Sequence, residues 1–168
     1  MVQMVPITTV DADAVERLLD RAFGTDRHGR TAYRLRVGTS AIPELSIAAV
    51  DGDELVGSIQ CWPVRFAGDD GCDVPLVLVG PVAVDPERQQ GGIGRALVAA
   101  SLAAADARGD ALMLIGDPEY YGRFFGFSAE ATAGWRLPGP VEARRLLARG
   151  PGVPAGTGAI GPRVTAVA

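Results

Sequence analysis

Two periodicities alternate along the chain. Val15, Leu18, Leu19, Ala22 and Phe23 recur at three- and four-residue spacing, the stripe of an amphipathic helix. Asp13 followed by Glu16 resembles a capping box, and Gly24 supplies a stop. The next stretch, TDRHGRTAYRLRVG, is dense in Arg and reads as a loop followed by a short helix. From Leu45 the period shortens to two. ELSIAAV and ELVGSIQCW, separated by Asp51-Gly52-Asp53, predict a strand hairpin. Ile59 and Cys61 share one face of its second strand, whereas Val64 and Phe66 fall in the other register. A bulge near Trp62-Pro63 is the expected cause. AGDDGCDVP is a polar turn, and PLVLVGPVAV reads as a third strand interrupted at Gly80-Pro81. A helix is predicted from about Gly91 to Arg108, with Ile93, Leu97, Ala100 and Ala104 as a narrow stripe of mostly small residues. ALMLI has the apolar run of a short buried strand. Asp117-Pro118-Glu119 then opens another helix, with a capping carboxylate and Pro in the first turn. Beyond Phe127 the chain is rich in Gly and Pro, and ARRLLA fits strand or helix on pattern alone. With no internal repeat and no linker, one domain over residues 1–168 is expected.

Composition then removes whole classes of chemistry. Every basic residue is Arg; the chain has no Lys and no Asn, and His28 is its one His. A Lys Schiff base and a Walker-type phosphate loop are therefore excluded, and so is a metal site built on several histidines. A formal charge of −4 offers no basic footprint for nucleic acid. The start MVQMVPITTV lacks the basic opening and apolar core of a secretory signal, and no apolar run reaches membrane-spanning length. A cytoplasmic location follows as the expectation, with Cys61 and Cys72 as reduced thiols.

The informative segment is VGPVAVDPERQQGGIGRAL, a strand, a glycine-bearing turn and a helix start. A dinucleotide fingerprint needs a small residue where Leu97 stands, so its third glycine position fails. What remains is a turn whose backbone N–H groups converge on an anion at a helix N-terminus. The competing explanation is that Gly91, Gly92 and Gly94 serve only close helix–strand packing.

Gln89-x-x-Gly92-x-Gly94 directly after a strand resembles the signature of the GNAT superfamily of acyl-CoA-dependent N-acetyltransferases. The order of elements is similar as well, and a second block, GDPEYYGRFFGF, resembles one bacterial branch of predicted acetyltransferases. Together the two blocks cover roughly residues 78–127. The resemblance implies an α/β fold of the α+β type. Its central sheet would be mixed and mostly antiparallel, of about six or seven strands, with a splayed strand pair and flanking helices. ARRLLA is then read as a late strand.

The resemblance also implies acetyl-CoA as cosubstrate, no metal, and acetyl transfer to an amine of a small molecule or protein by direct attack. Backbone groups of Gln89, Gln90, Gly91, Gly92, Ile93, Gly94 and Arg95 would bind the pyrophosphate. Val82, Ala83 and Val84 would offer main-chain groups to pantetheine, and the Val82 N–H would polarise the thioester carbonyl. Tyr120 and Tyr121 are the two candidates for the acid that protonates the leaving thiolate. Tyr121 is favoured for its place before Gly126-Phe127, although that block is one residue longer than the usual spacing. Asp117 stands where many relatives hold an Asn against CoA, but a helix cap already explains it. No Glu occupies the central strand, which leaves water, Glu119 or Asp85 as the open choices for a base. Arg27, Arg30, Arg34 and Arg36 fall on the acceptor side and read as a solvated face. The alternative function is a non-catalytic acetyl-CoA-binding sensor or structural module. A homodimer fits the resemblance, though nothing in the sequence specifies one, and neither nucleic acid nor membrane is an expected partner.

Overall fold

The computed structural model describes residues 1–164, which form two compact units. The first comprises Met1–His28, Ala41–Cys61 and Gly80–Arg108; the second comprises Gly29–Ser40, Trp62–Val79 and the chain from Gly109 onward. Strands β3 (Glu54–Gly68) and β4 (Asp73–Val84) run from one unit into the other.

In the first unit, β1 (Val2–Pro6) pairs antiparallel with β2 (Ile47–Asp51), and β2 pairs antiparallel with the start of β3. β1 is a strand that the sequence reading did not assign, because five residues at a sheet edge carry little alternation. Helix α1 (Ala12–Phe23) buries Val15, Leu18 and Leu19 against Ala83 of β4. Each fully buried Leu contributes roughly 1.5–3 kcal/mol. Its cap is Asp11, whose carboxylate accepts the Asp13 N–H at 3.2 Å, rather than the Asp13–Glu16 box. Gly24 ends it as expected, with φ 90° and its N–H on the Asp20 carbonyl at 2.8 Å.

Helix α3 (Ile93–Arg108) begins two residues later than predicted. Its buried positions are Ile93, Leu97, Val98, Ser101, Leu102 and Ala105, so the stripe is turned toward 101 and 105 rather than Ala100 and Ala104. The helix lies close on β3 at Gly57, where a Cβ would come within 2.8 Å of Ile93 Cγ2. The bulge also moves. The register shift falls opposite Ala49/Val50, between Leu55 and Gly57, and β3 runs unbroken through Trp62-Pro63. Ile59, Cys61, Trp62, Val64 and Phe66 are all buried, and burial on both faces imitates a slip in the apolar alternation there.

In the second unit, the Arg-dense stretch holds the expected short helix, α2 (Thr31–Arg34). The later part of β3 pairs antiparallel with β8 (Gly158–Pro162), and β8 pairs in parallel with the two-residue β6 (Trp135–Arg136). β5 (Leu112–Ile115) pairs antiparallel with β7 (Leu146–Arg149). The β4–β5 ladder is parallel and holds just two register pairs, Val77 with Leu112 and Leu78 with Met113. Such a short ladder is the splayed pair expected. β4 itself is continuous through Gly80-Pro81, with φ 119° at Gly80 marking the predicted interruption. ARRLLA divides: a 3-10 turn over Ala143–Arg145 leads into β7. The result is a mixed α/β fold with an open, mostly antiparallel sheet and flanking helices, with eight strands among the described residues against the expected six or seven.

Candidate functional site

In the first unit β4 ends at Val84, and Asp85 reverses the chain. The Asp85 carboxylate accepts the Glu87 N–H at 3.0 Å and caps a 3-10 turn over Pro86–Gly91. Gly92 follows at φ 73°, ψ 14°, the left-handed region that side chains with a Cβ rarely enter. Helix α3 starts there, the Ala96 N–H bonding to the Gly92 carbonyl at 3.0 Å. The N–H groups of Ile93 and Gly94 lie in the first turn, where helix geometry supplies no carbonyl four residues back within the helix. They point outward with the positive end of the helix dipole. Gln89, Gln90, Gly91 and Gly92 are all exposed, so the backbone is open to a ligand.

The two explanations offered for the glycines divide between residues. Gly92 is required by its φ. Gly94 serves packing, since its Cβ would stand 3.3 Å from Val84 Cγ2 and 4.0 Å from Val82 Cγ1. Gly91 meets nothing closer than 3.9 Å, so neither reason within the protein demands it. A groove of about 620 Å³ adjoins the turn, with Val2, Met4, Ile93 and Ala96 as its apolar lining and Gln89 and Gln90 among its polar lining.

One residue of this turn was missed. Arg88 donates to Asp51 at 2.6 Å and to Glu54 at 3.2 Å, tying the turn to the β2–β3 hairpin. The hydrogen bond from Arg88 is the largest cause holding the Asp51 carboxyl below its ordinary value. No spacing in the sequence marks it, because its partners lie 37 and 34 residues away.

The tyrosine block lies in the second unit, on α4 (Pro118–Phe125). Pro118 takes the first turn, and Gly126 closes the helix at φ 74°. The Phe127 N–H returns to the Tyr121 carbonyl at 3.2 Å, so the extra residue of this block is absorbed in a left-handed cap. Tyr121 packs edge-on against Tyr120 with ring centroids 4.9 Å apart, and against Phe127 at 6.2 Å. Its ring also covers Gly116, where a Cβ would stand 2.6 Å from Tyr121 Cε2. Gly116→Ala is therefore expected to lower stability by about 1–3 kcal/mol, the usual cost of overpacking. Denaturant melts check it. Burial pushes the Tyr121 phenol up to about 12, with smaller contributions in the same direction from Tyr120 and Asp117.

Asp117 occupies the N-cap position, yet its side chain makes no capping hydrogen bond. The cap explanation therefore fails, and the carboxylate stands 3.6 Å from Arg145 Nε instead. The two carboxylates left open as bases are both engaged. Asp85 caps its turn with Arg21 3.9 Å away, and Glu119 pairs with Arg144, in a setting that lowers its pKa.

The four arginines do not form one solvated face. Arg27 is 2% exposed and donates to Glu16 and to Asp20, at 2.5 and 3.1 Å. Arg34 donates to the Pro138 carbonyl at 2.8 Å. Arg36 stacks between Trp62 and Tyr33, at 3.8 and 4.2 Å from their ring centroids. His28 is exposed, its Nε2 3.3 Å from Arg27 Nη1. Trp62, Phe66 and Trp135 are buried core. Neither Cys61 nor Cys72 is disulfide-bonded, and the buried Cys61 contacts Ser101 at 3.2 Å. Among the described residues no His, Cys, Asp and Glu group is arranged to hold a metal, and no helix is long and apolar enough to cross a membrane.

The acetyltransferase (GNAT) domain profile matches residues 3–129. The uncharacterized N-acetyltransferase YhbS of Escherichia coli (strain K12) is 30% identical over 137 residues, 80% of this chain and 79% of the relative. The crystal structure of Escherichia coli YhbS in complex with CoA is similar over 95% of this chain and 88% of that one, with TM-score 0.69 and 27% identity. A GNAT family acetyltransferase from Brucella melitensis, in complex with acetyl-CoA, shares the fold at TM-score 0.67 and 23% identity. That match covers 96% of this chain and 95% of the other.

Proposed function

This chain belongs to the GNAT acetyltransferase family, and we propose that it transfers an acetyl group from acetyl-CoA to an amine by direct attack. The observation that carries this is the turn itself: exposed backbone from Gln89 to Gly92, a left-handed Gly92, and the open first turn of α3. A diphosphate needs several N–H donors and no intruding Cβ, and this segment meets both demands. The complexes of relatives with CoA and acetyl-CoA support the same ligand.

On this reading the N–H groups between Gln89 and Arg95 hold the pyrophosphate. Main-chain groups of Val82, Ala83 and Val84 align pantetheine as an added strand, and the Val82 N–H faces the developing oxyanion. Acetyl-CoA supplies the thioester. The chain's work is to orient it, hold the amine nearby and deliver a proton to sulfur. Tyr121 delivers that proton. Its raised pKa keeps the phenol protonated across the working pH range. With Asp85 and Glu119 both engaged by arginine, the amine loses its surplus proton to water.

Thiol release across a panel of amines tests the reading. Acetyl-CoA should raise the melting temperature, and at least one amine should release CoA at a rate proportional to enzyme. A melting shift with no release from any amine is the outcome that turns the reading over to a sensor.

A further inference from the structure

Helix α4 carries Asp117 at its cap and Tyr121 four residues on, a spacing that puts both on one helical face. Asp117 Oδ1 lies 3.6 Å from Arg145 Nε, and that Nε is buried and makes no hydrogen bond. The guanidinium is therefore held toward the carboxylate by charge rather than by a saturated fork. Its backbone is fixed as well. The Arg145 carbonyl accepts the Gly116 N–H at 2.9 Å, and Gly116 is the residue under the Tyr121 ring. Neighbouring Arg144 is turned to Glu119, so the two arginines serve different carboxylates. Arg145 is thus tied to Asp117 by charge and, through Gly116, to the residue that the Tyr121 ring covers.

We propose that Arg145 is a positioning residue of the leaving-group step, a fixed cation that neutralises Asp117 beside Tyr121 and so eases loss of the phenolic proton. The proposal rests on Tyr121 as the acid. In that step the tetrahedral adduct, already joined to the amine by a new C–N bond, re-forms its C=O as the C–S bond breaks and that bond's electron pair goes to sulfur. Sulfur takes the Oη proton of Tyr121, and water later reprotonates the phenolate. A phenolate near a bare carboxylate is opposed by its charge; a guanidinium paired with that carboxylate lessens the opposition. The influences on this phenol carry the signs that this role requires. Burial is the largest influence, Tyr120 and Asp117 act in the same direction, and Arg145 opposes all three.

The test uses the full chain labelled with 3-fluorotyrosine, whose phenol titrates at lower pH, with the Tyr121 fluorine signal assigned through Tyr121→Phe. Arg145→Gln should raise the Tyr121 midpoint by about half a unit to one unit, and Asp117→Asn should lower it by a similar amount. Arg145→Lys should restore most of the Arg145→Gln change. A merely structural clamp predicts otherwise: both variants loosen the ring, admit water and move the midpoint down together. Shifts of the same sign, or none in Arg145→Gln, overturn the proposal. In turnover, Arg145→Gln should lower kcat about three- to tenfold with the acetyl-CoA KM unchanged. If Tyr121→Phe keeps full kcat while the opposed shifts stand, the acid reading falls, and the role of Arg145 in catalysis falls with it. The titration needs no turnover, so the two failures are separable.

Discussion

Tyr121→Phe is expected to lower kcat by about 10²-fold or more, the range for loss of a positioned general acid, while the acetyl-CoA Kd stays within twofold. The variant removes one oxygen and keeps the ring that covers Gly116 and packs on Phe127. Folding is therefore not the confounder. Stopped-flow thiol release with calorimetric binding separates the two quantities, and unchanged kcat would exclude Tyr121 as the acid.

The pH dependence follows from the same residue. Because the phenol is pushed up to about 12, wild-type kcat should rise with pH as the amine deprotonates and show no decline from Tyr121 through pH 10. The sign for stability is worked out likewise. The folded value lies above the ordinary tyrosine value of about 10. The contribution of Tyr121 is thus complete below that pH and is lost as pH rises toward 12. Tyr121→Phe should flatten this alkaline decline in melting temperature.

Gly92→Glu is expected to abolish the acetyl-CoA-induced melting shift. Two effects combine there. At φ 73° any L side chain costs about 1–2 kcal/mol. The new carboxylate also projects from an exposed turn toward the space assigned to a diphosphate, where like charges repel. Gly92→Asn separates them, since Asn tolerates the left-handed region and adds no charge. It should keep most of the shift. Gly91→Ala meets no protein atom closer than 3.9 Å and should keep the fold. A full melting shift in Gly92→Glu would remove the turn as the pyrophosphate site.

Much of this was legible locally. The helix stripe ending at Gly24, the hairpin about Asp51-Gly52-Asp53 and the Pro118 helix start each depend on residues within a few positions of one another. The Gln89–Gly94 turn is also local, and one glycine of known φ confirms its shape. The bulge was misplaced because burial on both faces of β3 imitates a change of register. The division of labour among three glycines was illegible for a different reason. Only the partner strand reveals that Gly94 approaches Val84 while Gly91 approaches nothing closely.

The absence of Lys and Asn and a single His already narrowed the proton carriers to tyrosine, carboxylate and water, beside a turn built of main-chain donors. Those are statements about residue types and short spacings, which a sequence determines alone. Pairing over 25 to 40 residues belongs to the tertiary structure. Arg88 anchors the turn through Asp51 and Glu54, Arg144 engages Glu119, and Arg145 draws Asp117 away from its cap. Charges at such separations have no sequence period. Which carboxylate meets which arginine is decided when the sheet and helices bring them within a few ångströms, and that choice paired Arg144 with Glu119 and Arg145 with Asp117.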